Sequence, residues 1–584
     1  MSGAFGGAAR GSSVRVPHKG RTLGMIGVTH RLLSLLVVAL AAGCAPTAAN
    51  TSSSGQPTVP AAPKVLTIVG TEGVIGNFPG VEGGGGGHAG FVNEYLTVVD
   101  PQDEVVGRLA EETISVERGT WKLNADGTMD TIWKIRPNVK WQDGHPFTTE
   151  DLMFTYTAYK DPALPSFYAE ALKLMTSAEA IDSLTFVVHW SEPYSRADLA
   201  PALDPMPKHI LESLYLNDKP NFPQSTFFRQ DFVGTGAYRI KQWVQGSHIE
   251  YERNELYYLG RPPLDTVILK FITDKNTVLA NVLAGSLDVV YNKGALDIEA
   301  ALEAKNRWAG TGNSVSFVPS QRLISIELQF RRDSARPQFG LIERDVREAM
   351  MHAIDRQAMV DATTQGLSPI ADDWITPTSK LAEAARGAAP RYDYDVAKAQ
   401  RMLASVGWTK GQDGILVHQT TGEKFEFDLW NRFQLLKEQA IVGDYWKAVG
   451  VNVNIKQLPI ARDRHLEATL TGGQMMDQTI ADFAVGRLRG SDVATPANRY
   501  NGRNLAGYSN PRFDDLLKKL SLAIDVREQS KIHADIVREA FTDLAELPFY
   551  FQVTPLLIRE GFSGPQGGGA ASIDWNFYTW DKKG

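Results

Sequence analysis

One cysteine, Cys44, occurs in the 584 residues, so a disulfide within the chain is impossible. Acidic residues are missing from the start: none precedes Glu72, while Arg10, Arg15, Lys19, Arg21 and Arg31 do. Setting aside the first 63 residues removes five positive charges and turns the formal net charge of −7 into about −12. Such an acidic body suits a polyanion poorly, and no Lys/Arg run interleaved with aromatics occurs, so nucleic acid is excluded as a partner. Catalytic signatures are absent as well. There is no H-E-x-x-H or paired-histidine spacing, and Gly366-Leu367-Ser368-Pro369-Ile370 and Gly507-Tyr508-Ser509-Asn510-Pro511 lack the closing glycine of a nucleophile elbow. The five glycines Gly83 to Gly87 do not form a phosphate cradle. His88 stands where the third glycine of G-x-G-x-x-G belongs and no Lys-Ser/Thr follows, which leaves a loop.

What is present is an ordinary globular composition, 43% hydrophobic and 22% charged, over a length that implies two or three domains. The 12 Trp, 18 Tyr and 25 Phe suit either large cores or an aromatic-lined cleft. Leu32 to Gly43 is a 12-residue apolar stretch behind His30-Arg31. It is too short to span a bilayer and has the form of a secretory signal, with a compact version starting at Met25. Cys44 follows the small residues Ala41-Ala42-Gly43 and resembles the lipobox cysteine of bacterial lipoproteins. Leu40, however, lies four residues before it rather than three. The resemblance implies residues 1–44 as a lipoprotein signal, acylation of Cys44 and a protein held to the membrane from outside the cytoplasm. Ala45 to Pro63 carries no charge and is rich in Ala, Thr, Ser, Pro and Gly, the composition of a flexible tether.

The body alternates strand and helix signals from Lys64 onward. Val65 to Val69 reads as a buried strand stopped by Gly70. Asp126-Gly127 and Asp143-Gly144 are turn chemistry, with an alternating segment from Thr131 to Ile135 between them, and Leu184 to Trp190 is a further strand. Thr148 with Asp151 three residues later predicts a capped helix. Apolar spacing predicts helices through Val346–Ile354, Ala399–Val406 and Ile441–Val449, the last two ended by Gly407 and Gly450. Val451, Val453 and Ile455 alternate with polar residues as in a strand with one solvated face. Asn510-Pro511 opens a helix through Leu520. A long helix from about Arg527 to Glu546 precedes Pro548 and an apolar strand, Phe549 to Ile558. This alternation predicts α/β lobes.

Several segments, taken in order, resemble one family. They are Trp133 to Gly144, Phe147 to Leu152, Pro207-Lys208-His209, Val233 to Tyr238, Arg253 to Tyr257, Ala284 to Asp288, Asp345 to Ala349 with Ala353 to Arg356, and Tyr394 to Ala399. The series is similar to the extracytoplasmic solute-binding proteins of family 5, which serve ABC importers of peptides and nickel. The resemblance implies a two-lobed periplasmic-binding-protein fold (type II-like) with an additional domain inserted in the first lobe. Lobe one would be 64–99, 231–321 and 548–584, the extra domain 100–230, and lobe two 322–547. Most of the matching residues read as scaffold. Gly234 and Gly236 would allow a tight start to a strand, Arg347 and Asp355 would pair or cap around their helix, and Lys208-His209 would start one.

The resemblance further implies a monomer without cofactor, metal or catalytic residue that captures a peptide or peptide-like small molecule. Its partners would be an ABC permease and ATPase complex. Candidate contacts are Glu72 and His88 in lobe one, and Trp374, Trp430, Asn431, Arg432, Asp482 and Phe483 in lobe two. Asp482 would face an amine and Arg432 a carboxylate. Around Ala481 to Gly486 the family's Trp before the aspartate and Asp-Pro after it are missing, which leaves peptide, sugar, nickel chelate and opine all open. An extracellular hydrolase, or a ligand-sensing surface receptor of the same fold, is the alternative.

Overall fold

The computed structural model describes residues 62–73, 75, 78, 89–164, 169–199, 204–292, 294–432, 435–459, 463–479, 486–567 and 572–583. Its organising element is a ten-stranded sheet. In chain order the strands are Val65–Gly70 (β1), Tyr238–Val244 (β2), His248–Arg253 (β3), Thr266–Phe271 (β4), Val289–Val290 (β5), Ser314–Leu328 (β6), Glu426–Asn431 (β7), Asn452–Gln457 (β8), Gly473–Thr479 (β9) and Leu547–Ile558 (β10). Across the sheet they run β8-β7-β9-β6-β10-β5-β1-β4-β3-β2.

The two central strands explain the architecture. At 15 and 12 residues, β6 and β10 are long enough to serve both halves of the sheet. They pair antiparallel from Ser314↔Ile558 to Ile326↔Leu547, with a break in register between Pro319 and Leu323. On one side of that break, Ile324, Ile326, Phe549 and Tyr550 enter one apolar cluster, while Leu323 and Phe551 enter another on the opposite face. On the other side, Leu556 packs with Leu66 and Ile68, and Leu557 packs with Val69. Between these two pairs of cores, Val318 to Arg322 and Gln552 to Thr554 are only half-buried. Each half of the sheet thus carries its own two-sided core, and the halves meet at a thin crossover. This is the two-lobed α/β fold expected.

A separate four-stranded sheet, in the order Trp121–Leu123, Met129–Lys134, Thr185–Trp190 and Met175–Asp182, packs into the same cluster as β1. The helix Thr149–Lys160 beside it begins with the predicted capping box: Thr148 and Asp151 each satisfy a backbone N–H of the other's end. Gly234 and Gly236 are required by close approach. A Cβ on Gly234 would stand 1.9 Å from the carbonyl oxygen of Val92, and one on Gly236 2.5 Å from the Val92 carbonyl carbon.

Some local expectations shift. The long C-terminal helix is Val526–Thr542, ending four residues earlier than the pattern suggests, because Leu544 turns to φ 49°. Pro548 lies inside β10 rather than before it, opposite Ser325, at a second irregularity of the ladder. β8 is the outermost strand, so Ile455 is 49% exposed instead of packed. Asp355 caps the helix Arg356–Thr364, whereas Arg347 bonds to Asp543 and to the carbonyl of Leu341.

Candidate ligand-binding cleft

Strand direction locates the site. β5 runs antiparallel to β10 and parallel to β1, which is parallel to β4, so Gly70, Phe271 and Val290 all end on the crossover side. In the other lobe, β9 runs antiparallel to β6 and parallel to β7, which is parallel to β8. Asn431, Gln457 and Thr479 therefore also end facing the crossover. Six carboxyl ends from two lobes converge on the same two strands. In open α/β sheets the crevice outside such ends is where ligands bind.

The floor is built from β6 and β10. Ser320 Oγ donates to the carbonyl of Gln552 at 3.0 Å, stapling the crossover where the regular ladder breaks. Arg322 Nε donates to Asp477 Oδ1 at 2.7 Å and its Nη2 to the Asp477 carbonyl at 2.7 Å, tying β6 to β9. On β10, Tyr550 Oη donates to Glu438 at 2.6 Å; burial, then the Glu438 charge, push the phenol well above its ordinary range. The lobes also touch across the opening. Lys437 Nζ lies 2.9 Å from Glu299 Oε1, each at the start of a helix, Leu436–Ala448 in one lobe and Ile298–Arg307 in the other. The Lys437 ammonium holds the Glu299 carboxyl below the usual range.

The residues nominated from sequence fall into different settings. Glu72 follows β1 by two residues, is exposed, and accepts from Trp243 Nε1 at 2.9 Å and the Gly246 N–H at 3.0 Å. Trp430, Asn431 and Arg432 stand together at the end of β7. Trp430 is half-buried, between Lys456 and Gln474 on the neighbouring strands. Asn431 is fully buried, accepting from the Leu435 N–H at 3.3 Å and facing Gln439, so it shapes the turn into the next helix. Arg432 pairs with buried Glu467. Trp374 lies apart from these. Its Nε1 donates to Glu546 Oε2 at 2.7 Å, and Glu546 precedes the end of β10 remote from the crossover, about 17 Å of strand away. His88, Asp482, Phe483 and Cys44 lie outside the described residues.

Sequence reasoning passed over Arg322, Asp477, Tyr550, Glu438 and the pair Lys437–Glu299. No local pattern marks them, because partners 112 to 155 residues apart meet only through the order of the sheet. The groups gathered at the strand ends are ion pairs, amides and an aromatic ring, the means of noncovalent recognition.

Comparison with known proteins agrees with this geometry. Residues 104–501 match the family described as bacterial extracellular solute-binding proteins, family 5 middle. The chain is 26% identical over 482 residues to the oligopeptide-binding protein AppA of Bacillus subtilis, covering 80% of this chain and 82% of that one. Among solved structures, it resembles the oligopeptide-binding protein of Thermus thermophilus complexed with a pentapeptide. The TM-score is 0.71 at 23% identity, over 89% of this chain and 96% of that one. NikZ of Campylobacter jejuni in complex with Ni(L-His) is similar too, with a TM-score of 0.70 at 22% identity, over 90% and 100% of the two chains. Two lobes on a shared pair of strands, the facing strand ends and a profile match across most of the body lead to one assignment: this chain belongs to family 5 of the bacterial extracellular solute-binding proteins.

Proposed function

We propose that this protein captures a peptide or peptide-like solute between its lobes for an ABC importer, closing by a hinge in Pro319–Leu323 and the neighbouring Gln552–Thr554, and catalyses no reaction. The observation that carries the reading is the convergence of six strand ends on two half-buried crossover strands. Relatives named for oligopeptide binding, AppA of Bacillus subtilis and OppA of Salmonella typhimurium, support the solute class.

In this reading lobe one is 64–99, 231–321 and 548–584, lobe two is 322–547, and 100–230 is the inserted domain. Glu72, His88, Trp430, Arg432, Asp482 and Phe483 are contacts for ligand, with Asn431 shaping the wall behind them. The chain is a monomer anchored outside the cytoplasm through acylated Cys44 and working with a permease and ATPase.

Thermal denaturation of the purified chain with a panel of di- to nonapeptides, oligosaccharides and metal chelates tests the ligand class. A ligand at 100 times its Kd stabilises the folded form by about 2.7 kcal/mol. A rise in Tm for peptides alone is the expected result; a response to sugars alone, or to no class at all, overturns it. For the anchor, Cys44→Ser should move the protein from the membrane fraction to the medium or periplasm.

A further inference from the structure

Away from the cleft, three metal-ligating side chains meet on the surface of the 100–230 segment. Asp143 and His145 belong to a tight turn: the Gly144 N–H donates to the Trp141 carbonyl at 2.8 Å, and the Trp141 N–H to the His145 carbonyl at 2.8 Å. His209 arrives from the helix Lys208–Asn217, whose start is fixed by the Lys208 N–H donating to Asp151 Oδ1 at 3.0 Å. His209 Nε2 lies 2.6 Å from Asp143 Oδ2, and the two imidazoles stack with centroids 4.0 Å apart and planes 8° apart. One donor atom from each of the three residues falls within 4.8 Å of the others.

The Asp143–His209 bond by itself would hold turn and helix together. It leaves His145 unexplained, since its ring makes no hydrogen bond among the described residues and only faces a second imidazole. We propose that Asp143, His145 and His209 form a site for one divalent transition-metal ion, outside the solute cleft, that clips this turn to this helix. Two imidazole nitrogens and one carboxylate oxygen are a borderline donor set that suits Cu²⁺, Ni²⁺ or Zn²⁺ over Ca²⁺ or Mg²⁺, with water in the remaining positions. Bonds of about 2.0–2.1 Å put such donors roughly 3–3.5 Å apart. The widest gap closes by up to about 1–2 Å, and because an ion lies in the plane of each imidazole that binds it, exposed His145 must rotate out of its stack on His209 to share one. Asp143 Oδ1 accepts from the His145 N–H at 3.0 Å, which orients the carboxylate while Oδ2 faces the site.

The test is calorimetric titration of the EDTA-stripped full-length chain with CuCl₂, NiCl₂ and ZnCl₂, beside His145→Ala and Asp143→Asn. One ion per chain is expected, with affinity lost by at least about 10-fold in His145→Ala and no change in the Tm of that variant without metal. His145 is the decisive position because it is exposed, whereas Asp143 and His209 also join turn to helix. Electron paramagnetic resonance of the Cu²⁺ form should show two nitrogen ligands in the wild type and one fewer in His145→Ala. No binding up to 1 mM metal, or equal binding and an unaltered spectrum in His145→Ala, overturns the proposal. Solute binding in the cleft is read separately, so either result stands without the other.

Discussion

At the crossover-facing ends of lobe two, polar groups are already tied to neighbours of the same lobe: Asn431 to Gln439, Arg432 to Glu467 and Arg322 to Asp477. In lobe one, Glu72 is also held within its own lobe, by Trp243 and Gly246 of the edge hairpin β2–β3, but it stays exposed. The contrast extends inward. Lobe two buries Arg487 against Glu327 and Glu546, with Ser325 and Trp374 also donating to Glu546. A buried charge cluster of this kind tolerates no missing partner, whereas an exposed carboxylate tolerates almost any change. Lobe two is therefore the rigid, preorganised wall, and the lobe-one rim is the adjustable one.

That contrast can be broken experimentally. The largest effect is expected at Glu546→Ala, which strips Arg487 and Trp374 of a shared acceptor. Denaturant unfolding should show a loss of about 3–5 kcal/mol, and a loss under about 1 kcal/mol would mean the cluster is not what holds the lobe. Asp373 comes next. Burial, with a smaller push from Asp372, raises its carboxyl to about 6, against one N–H from Ile375 that lowers it. A carboxyl raised in the folded state stabilises fully below its unfolded value near 3.8, and that contribution is lost as pH rises through about 6. Asp373→Asn should accordingly gain about 1–2 kcal/mol at pH 7.5 and flatten the pH dependence between 4 and 6; an unchanged slope would assign that dependence elsewhere.

Smaller effects test the adjustable rim. Lys437→Ala removes an exposed ion pair between the lobes, so stability should fall by only about 0.2–1 kcal/mol. Small-angle scattering of the ligand-free protein should show a larger radius of gyration, and an identical radius would make the pair incidental. Glu72→Ala should leave stability within about 0.5 kcal/mol yet weaken the best ligand of the thermal panel. Equal affinity would remove Glu72 from the contacts.

Local signals were readable wherever one stretch of chain decides the outcome. The capping box of Thr148, the helix stops at Gly407 and Gly450, and the Asn510-Pro511 start each depend on residues within a turn of one another, and each is present. The family blocks carried the two-lobed fold. Missed features depend on neighbours far along the chain. Ile455 has the alternation of a packed strand but occupies the sheet edge, and the apolar run Leu544-Ala545 continues a helical pattern that the backbone abandons. The family resemblance alone names Asn431 as a contact, and its burial against Gln439 follows from a helix that returns over it. His145 and His209, 64 positions apart, form no recognisable spacing until the turn and the helix are docked.

The strand Leu547–Ile558 lies between β6 and β5 in the sheet, and without it the ten strands fall into a group of four and a group of five. Because the ribosome delivers the chain from its N-terminus, both groups must wait with an open edge until nearly all of the polypeptide has been made. Nascent chains halted before residue 547 should therefore be the species most prone to mispairing.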